Sequence, residues 1–179
     1  YEEGFYPYPQ IDLASAISSV VSGTSPFYHT ITADKWLDRN SLQTVSPTPN
    51  DIAVSTLGDE LRLATKGEGK VCAVAVKKET AELAAGHKSN RIVWNEDKRK
   101  KWNAISLTDK ALQLIVQESL GQDSIPDILY LHYDATPDEN ALTKLVSEIE
   151  KLLGKNQTLF VVTSTGYEVE NTSEYAKYN

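Results

Sequence analysis

The side chains best suited to chemistry in this sequence are three histidines and one cysteine. His29, His87 and His132 are far apart, and none lies in an H-x-x-x-H or similar ligand spacing. His132 lies within an apolar run, so we predict a core histidine. Cys72 follows Val71 in a short continuous apolar stretch, which predicts a buried structural thiol. A single cysteine also excludes an internal disulfide framework and a cysteine-rich zinc site.

Two short motifs could in principle bind phosphate or carry a nucleophile, but their context argues against both. Gly67-x-Gly69-Lys70 lacks the spacer of a P-loop, follows a predicted helix and has no Ser or Thr after the lysine. Ser22-Gly23-Thr24-Ser25 follows a helix, whereas a nucleophile elbow follows a strand. Taken alone, the residues therefore predict an α/β domain without a recognisable active site.

The elements that would position any site alternate between strand and helix. Apolar periodicity and end signals predict helices at 12–22, 54–64, 79–85, 108–120 and 136–153, and strands at 71–76, 91–94, 128–133 and 158–163. Asp12 is predicted to cap the first helix, and Thr136 with Pro137 to begin the last one. Residues 41–53 are predicted to be a loop, and Ser25-Pro26 a turn.

This alternation predicts a parallel sheet with helices on both faces. Functional groups in such sheets collect beyond the carboxyl ends of the strands. Here those ends are Lys77-Lys78, Asp134-Ala135-Thr136 and Ser164-Thr165-Gly166. The topology therefore indicates where a site would lie, and the residues leave its chemistry open.

Composition narrows the classes of function. The 179 residues fit one domain and can bury a sizeable core. The net charge of −7 argues against nonspecific binding of nucleic acid or an anionic membrane. No apolar run approaches the length of a membrane span. The chain begins at Tyr1 and contains no Met, so we expect a processed or truncated chain, or one from which modified methionines are missing.

Several segments together resemble landmarks of a known family. The stretch from Val20 to Ile31 resembles the pattern T-G-x-x-P-x-x-H-G-I of the type I phosphodiesterase/nucleotide pyrophosphatase branch of the alkaline phosphatase superfamily. The likeness continues, in family order, in 35–39 (Lys-Trp-Leu-Asp-Arg), 55–65, 84–87 (Ala-Ala-Gly-His), 126–129 and 159–163. The resemblance implies an alkaline-phosphatase-like three-layer sandwich with a mostly parallel central sheet, formed by residues 1–179 as a single domain that lacks the family's first strand and C-terminal portion.

The resemblance also implies which positions should carry the chemistry. Family members hydrolyse phosphate esters with a Thr or Ser nucleophile between two zinc ions held by Asp and His. The nucleophile position corresponds to Leu13, and the phosphate-contacting Asn to Asp34. A Lys-x-Arg pair corresponds to Lys77 and Glu79.

The metal-ligand segments correspond to 134–139, where no Gly-His follows, and to 163–167, where both ligands are lost. We therefore interpret the chain as a catalytically degenerate member with a binding or scaffolding role, without zinc, and periplasmic or extracellular as the family usually is. Its partner is unknown, and a protein is one option.

Two alternatives remain open. The chain could be a working zinc-dependent phosphohydrolase whose site is incomplete here, with Asp12, Asp34 and Lys77 as surviving catalytic candidates and Asp134 and Asp138 as metal ligands. It could instead be an unrelated interaction domain whose contact surface is the set of aromatic residues near both ends: Tyr1, Phe5, Tyr6, Tyr8, Tyr167, Tyr175 and Tyr178.

Overall fold

A computed structural model describes residues 12–97 and 99–166 of the chain. Within these ranges the helices are α1 (Leu13–Ser22), α2 (Pro26–His29), α3 (Leu57–Ala64), α4 (Lys78–Ala85), α5 (Ala104–Glu118) and α6 (Glu139–Leu153). The strands are β1 (Trp36–Asp38), β2 (Gln43–Val45), β3 (Val71–Val74), β4 (Arg91–Val93) and β5 (Ile128–Leu131). The terminal aromatic residues from Tyr1 to Tyr8 and from Tyr167 to Tyr178 lie outside the described residues.

A parallel three-stranded sheet forms the centre, in the order β4-β3-β5. Cys72 pairs with Arg91 of β4 and Leu129 of β5, so the central strand is hydrogen-bonded on both edges. All four residues of β3 are buried, as the continuous apolar run predicts. A separate antiparallel pair, β1 with β2, lies outside this sheet.

Helices cover both faces of the sheet. Ala73 and Ala75 face one core, which also contains residues of α1 and α4. Cys72 and Val74 face the other core, which contains residues of α5 and α6. This alternation along one strand, with apolar helices on each side, produces three layers.

Local signals explain most helix ends. Gly23 ends α1 with φ +67°, a conformation that glycine adopts without a steric penalty. Thr56 and Asp59 form a reciprocal capping box at the start of α3. Asn103 and Ser106 do the same for α5, which therefore begins at Ala104, four residues before the predicted start.

Four further sequence-based predictions are corrected. The last helix is capped by Asp138 rather than Thr136, because the Asp138 carboxylate accepts the Ala141 amide at 2.8 Å. Pro26 begins the short helix α2 where a turn is predicted. The predicted loop 41–53 contains β2 and a 3-10 turn, Pro49–Asp51. Helix α3 begins at Leu57, three residues later than predicted, because Thr56 is its cap.

The segment 158–163 is not a strand. The side chains of Leu159, Val161 and Val162 are 87%, 79% and 86% exposed. An apolar run forms a strand only where a neighbouring edge supplies backbone partners, and no strand of the described residues pairs with this segment. In the same residues, no helix is long and apolar enough to cross a membrane.

Candidate functional site

The N-terminus of α1 is the position that the resemblance assigns to the nucleophile. Leu13 is the first helical residue, and its half-buried side chain packs against the core beneath α1. A hydrocarbon at this position cannot attack phosphorus or bind a metal.

Two carboxylates flank the same helix end. Asp34 Oδ1 accepts a hydrogen bond from the Ala14 amide at 2.8 Å, and the Asp34 amide donates to Asp12 Oδ2 at 3.3 Å. Free amides at a helix N-terminus commonly bind anions. Here the protein's own carboxylate takes one of those amides, and the second carboxylate adds negative charge beside it. The structure thus brings Asp12, Leu13 and Asp34 together, in an arrangement that would repel phosphate.

A second polar group lies at the carboxyl edge of the sheet, as the topology predicts. His132 follows β5 directly, and its amide donates to the Val74 carbonyl oxygen at 2.9 Å. Its ring Nδ1 lies 3.4 Å from Asp134 Oδ1, and its Nε2 lies 3.4 Å from Thr165 Oγ1. The prediction of a core histidine within a strand is wrong in part: His132 lies just past the end of β5 and is partly buried, with a side chain that is 13% exposed.

Burial controls the charge of the His132 ring. Desolvation lowers the pKa of His132, and this effect outweighs the nearby Asp134 carboxylate, which raises it. Lys77, exposed at the start of α4, lowers the pKa of His132 further. The ring is therefore neutral at pH 7, with an imidazole nitrogen facing a carboxylate.

The remaining site candidate has a structural role. Asp138 lies outside both groups and caps α6. Within 12–97 and 99–166, no three His, Cys, Asp or Glu side chains converge on a position that could hold a metal ion. The candidates are thus divided among the α1 terminus, the carboxyl edge and a helix cap.

Cys72 is a core residue, as predicted. Its side chain is fully buried in β3, and desolvation, with smaller contributions from neighbouring charges, raises the pKa of its thiol to about 11. The thiolate that a nucleophilic cysteine needs is therefore suppressed.

His29, which lies within one of the segments that resemble the family, is held in place by hydrogen bonds to the protein. His29 is fully buried; its Nδ1 accepts the Ile31 amide at 3.1 Å, and its Nε2 lies 2.9 Å from Ser19 Oγ. Accepting at Nδ1 requires the neutral ring, and desolvation by burial lowers the pKa of His29 accordingly.

His87 bridges two parts of the chain that its sequence position does not connect. Its Nδ1 lies 2.7 Å from Asp59 Oδ2, and its Nε2 lies 3.0 Å from the Ile52 carbonyl oxygen. Burial raises the pKa of Asp59, but hydrogen bonds from Thr56 and His87 outweigh it and lower the pKa overall. Spacing could not reveal this pair, because 28 residues separate its members.

The His87–Asp59 pair forms part of the wall of a surface groove. The groove has a volume of about 690 Å³ and lies between 52–55, one side of α3, and 87–88. No sequence motif indicates it, because its lining residues come from three segments.

Sequence comparison finds similarity over part of the chain. Alkaline phosphatase PhoV of Synechococcus elongatus is 30% identical over 114 residues, which are 54% of this chain and 21% of PhoV. A calcium-transporting ATPase of Myroides odoratus is 39% identical over 54 residues, which are 30% of this chain and 10% of that protein. No protein-family model matches the chain.

Structural comparison covers more of the chain. A mutant of alkaline phosphatase PafA with four substitutions superposes with a TM-score of 0.64 at 14% sequence identity. The match covers 82% of this chain and 52% of the PafA chain. The chain thus spans about a fifth of PhoV and about half of PafA. At this low identity the likeness concerns the fold alone. The predicted fold class is confirmed: the chain has an alkaline-phosphatase-like α/β fold.

Proposed function

We propose that this chain is an alkaline phosphatase superfamily domain that has no phosphatase activity of its own and serves a binding role. The observation that carries the proposal is the α1 terminus, where Leu13 occupies the position that the resemblance assigns to the nucleophile and Asp34 accepts the Ala14 amide. Both features oppose phosphoryl transfer, because one removes the attacking oxygen and the other places negative charge where a phosphate oxygen would bind.

The electrostatics of phosphoryl transfer support this proposal. Enzymes of this reaction class stabilise the charge of the transferring group with cations or aligned donors. At the α1 terminus, Asp12 and Asp34 supply the opposite sign. Lys77 lies with His132 and Asp134 at the carboxyl edge, where the lysine and the aspartate shift the pKa of His132 in opposite directions. Neither the α1 terminus nor the carboxyl edge combines a nucleophile with a cluster of cationic side chains that could hold a phosphate.

The experiment is a phosphatase assay on the purified chain with and without added zinc, using a phosphomonoester and a phosphodiester. We expect no turnover above buffer and no stoichiometric zinc by elemental analysis. Contaminating host phosphatase is recognised with the variants Asp34→Ala and Asp134→Ala, because activity belonging to this chain would change with them and contaminating activity would not. Turnover that changes with these variants, together with bound zinc, would refute the proposal.

A second candidate is a phosphohydrolase whose site is completed outside this chain. The supporting observation is the pairing of His132 with Asp134 at the carboxyl edge, where the buried Nδ1 makes no hydrogen bond within the described residues. For this candidate the family resemblance implies three further properties: membership of the nucleotide pyrophosphatase branch, use of zinc and a location outside the cytoplasm. Activity restored by a longer form of the protein, and lost in Asp134→Ala, would favour this candidate.

A further inference from the structure

The groove beside α3 is lined by apolar side chains and by cationic side chains, which we call its rim. We call it the cationic groove and define it by Val54, Arg62, Leu63, Lys66 and Lys88, with His87 in its wall. Its volume is about 690 Å³, and one side is open to solvent. It lies outside both groups of residues that the family resemblance associates with catalysis.

The walls of the groove are fixed by hydrogen bonds before any partner binds. Thr56 Oγ1 accepts the Asp59 amide, and Asp59 Oδ2 accepts the Thr56 amide at 2.8 Å. Asp59 also holds His87, whose second ring nitrogen lies 3.0 Å from the Ile52 carbonyl oxygen. A site prepared in this way loses little conformational entropy on binding.

Apolar contact area is available within the groove. Leu63 is 75% exposed, as part of the solvent-facing side of α3. Val54, partly buried, borders the same space. Covering Leu63 would remove apolar surface from water, which favours association.

The charge of the groove is opposite to that of the chain as a whole. Lys66 and Lys88 supply positive charge, and Arg62 adds to it, although its Nη1 donates to Asn90 Oδ1 at 2.7 Å. Asp59, the acidic member of the lining, accepts hydrogen bonds from His87 and Thr56, and its single negative charge is outnumbered by these cations. The whole chain carries a net charge of −7. Clustered positive charge on an acidic protein attracts anionic partners and orients them.

We propose that the cationic groove binds an extended acidic peptide segment of a protein partner, with one apolar side chain on Leu63 and carboxylates at Lys66 and Lys88. Small-molecule sites usually enclose most of the ligand surface, whereas this groove is open along one side. An open groove with a charged rim suits a segment presented by a protein. This inference identifies the surface that would carry out the proposed binding role, and it rests on that proposed function.

The test uses a short labelled peptide with a central leucine flanked by glutamates, and fluorescence anisotropy with the intact chain. Lys66→Glu with Lys88→Glu reverses the rim charge, and Lys101→Glu with Lys155→Glu makes the same change in net charge outside the lining residues. Leu63→Ser removes the apolar contact, and Leu57→Ser is its control on the same helix, 58% exposed and outside the lining.

We expect the rim variant to weaken peptide binding by about tenfold, since each exposed charge pair contributes modestly. Leu63→Ser should also weaken binding, while both control variants should bind as the parent does. Raising salt from 0.1 to 1 M should weaken binding as the screening length falls from about 10 to about 3 Å.

Two results would overturn the inference: no binding of the peptide, whether or not a simple amphiphile such as dodecanoate binds, or equal loss in control and groove variants. Circular dichroism of each variant checks that the fold is retained. Absent peptide binding without phosphatase turnover would reject this surface and leave the proposed function standing. Turnover that changes with Asp134→Ala would reject the proposed function whatever the peptide does.

Discussion

Substituting Gly86 with alanine should destabilise the protein strongly. Gly86 has φ +73° and ψ −160°, a region that residues with a Cβ atom avoid. A Cβ atom there would lie 2.5 Å from Thr56 Oγ1 and 3.1 Å from Thr56 Cγ2, closer than packed atoms approach. The backbone strain contributes about 1–3 kcal/mol and the overlap a similar amount, so we expect a loss of about 2–6 kcal/mol in the free energy of unfolding.

Gly23 provides the matched control. It also has positive φ, at +67°, but nothing lies within 4 Å of its hypothetical Cβ. Gly23→Ala should therefore show the conformational cost alone, about 1–2 kcal/mol. Restricting the unfolded chain offsets about 0.4–1 kcal/mol of that cost. The gap between the two variants combines the contact of residue 86 with Thr56 and the extra backbone strain of φ +73°, ψ −160° relative to φ +67°, ψ 17°.

Urea unfolding of both variants is the assay, with the denaturant slope checked for constancy. A double-mutant cycle with Thr56→Ala adds a second measurement. The single change should cost about 1 kcal/mol through the lost N-cap. In the Gly86→Ala background it should cost less, because it removes the clashing Oγ1 and Cγ2 atoms. Equal losses for the two glycine variants, or additive effects in the cycle, would refute the steric reasoning.

Two further predictions concern the α1 terminus and pH. Asp34→Ala should lower the free energy of unfolding by about 1 kcal/mol, because the Ala14 amide loses its acceptor, and Asp34→Asn should lower it less; urea titrations measure both. Since burial lowers the pKa of His29 below 6.5, the unfolded state binds protons more readily, and stability should fall as pH drops below about 6.5. His29→Gln should make the free energy of unfolding depend less steeply on pH in this range. Some dependence should remain, since the pKa of His132 is also lowered by burial. An unchanged pH dependence would contradict the role given to His29.

The elements with strong local signals could be predicted from sequence. The apolar run of β3 predicts a strand covered on both faces, and all its residues are buried. For α1 the apolar spacing gives the correct limits, but not the full buried surface. Ser15 and Ser18 are completely buried, while Val20 is 43% exposed, because packing from several directions decides burial.

The secondary-structure predictions were wrong where the local sequence signals were weak or ambiguous. Thr136 and Asp138 are both good helix caps two residues apart, and only the tertiary position of α6 selects Asp138. The strands β1 and β2 have three residues each and turn through Leu42 at φ +57°, so neither shows a strand period long enough to recognise. The segment 158–163 has a strand's composition but no paired edge within the described residues.

The candidate site, like the fold, has parts that the sequence predicts and parts that it does not. The position of Lys77 and Asp134 beyond the carboxyl ends of strands follows from topology, and the structure places their strands side by side. The link between His87 and Asp59 and the groove beside it depend on how distant segments meet, which no spacing encodes.

Some residues in the segments that resemble the phosphatases are constrained by packing or hydrogen bonds. A Cβ on Gly58 would lie 3.0 Å from Val71 Cγ1, and one on Gly86 would lie 2.5 Å from Thr56 Oγ1. His29 is fixed by hydrogen bonds inside the core. These residues therefore have a structural role whether or not the chain is an enzyme. The resemblance therefore predicts the fold well, whereas activity depends on side chains such as Leu13, which the fold does not determine.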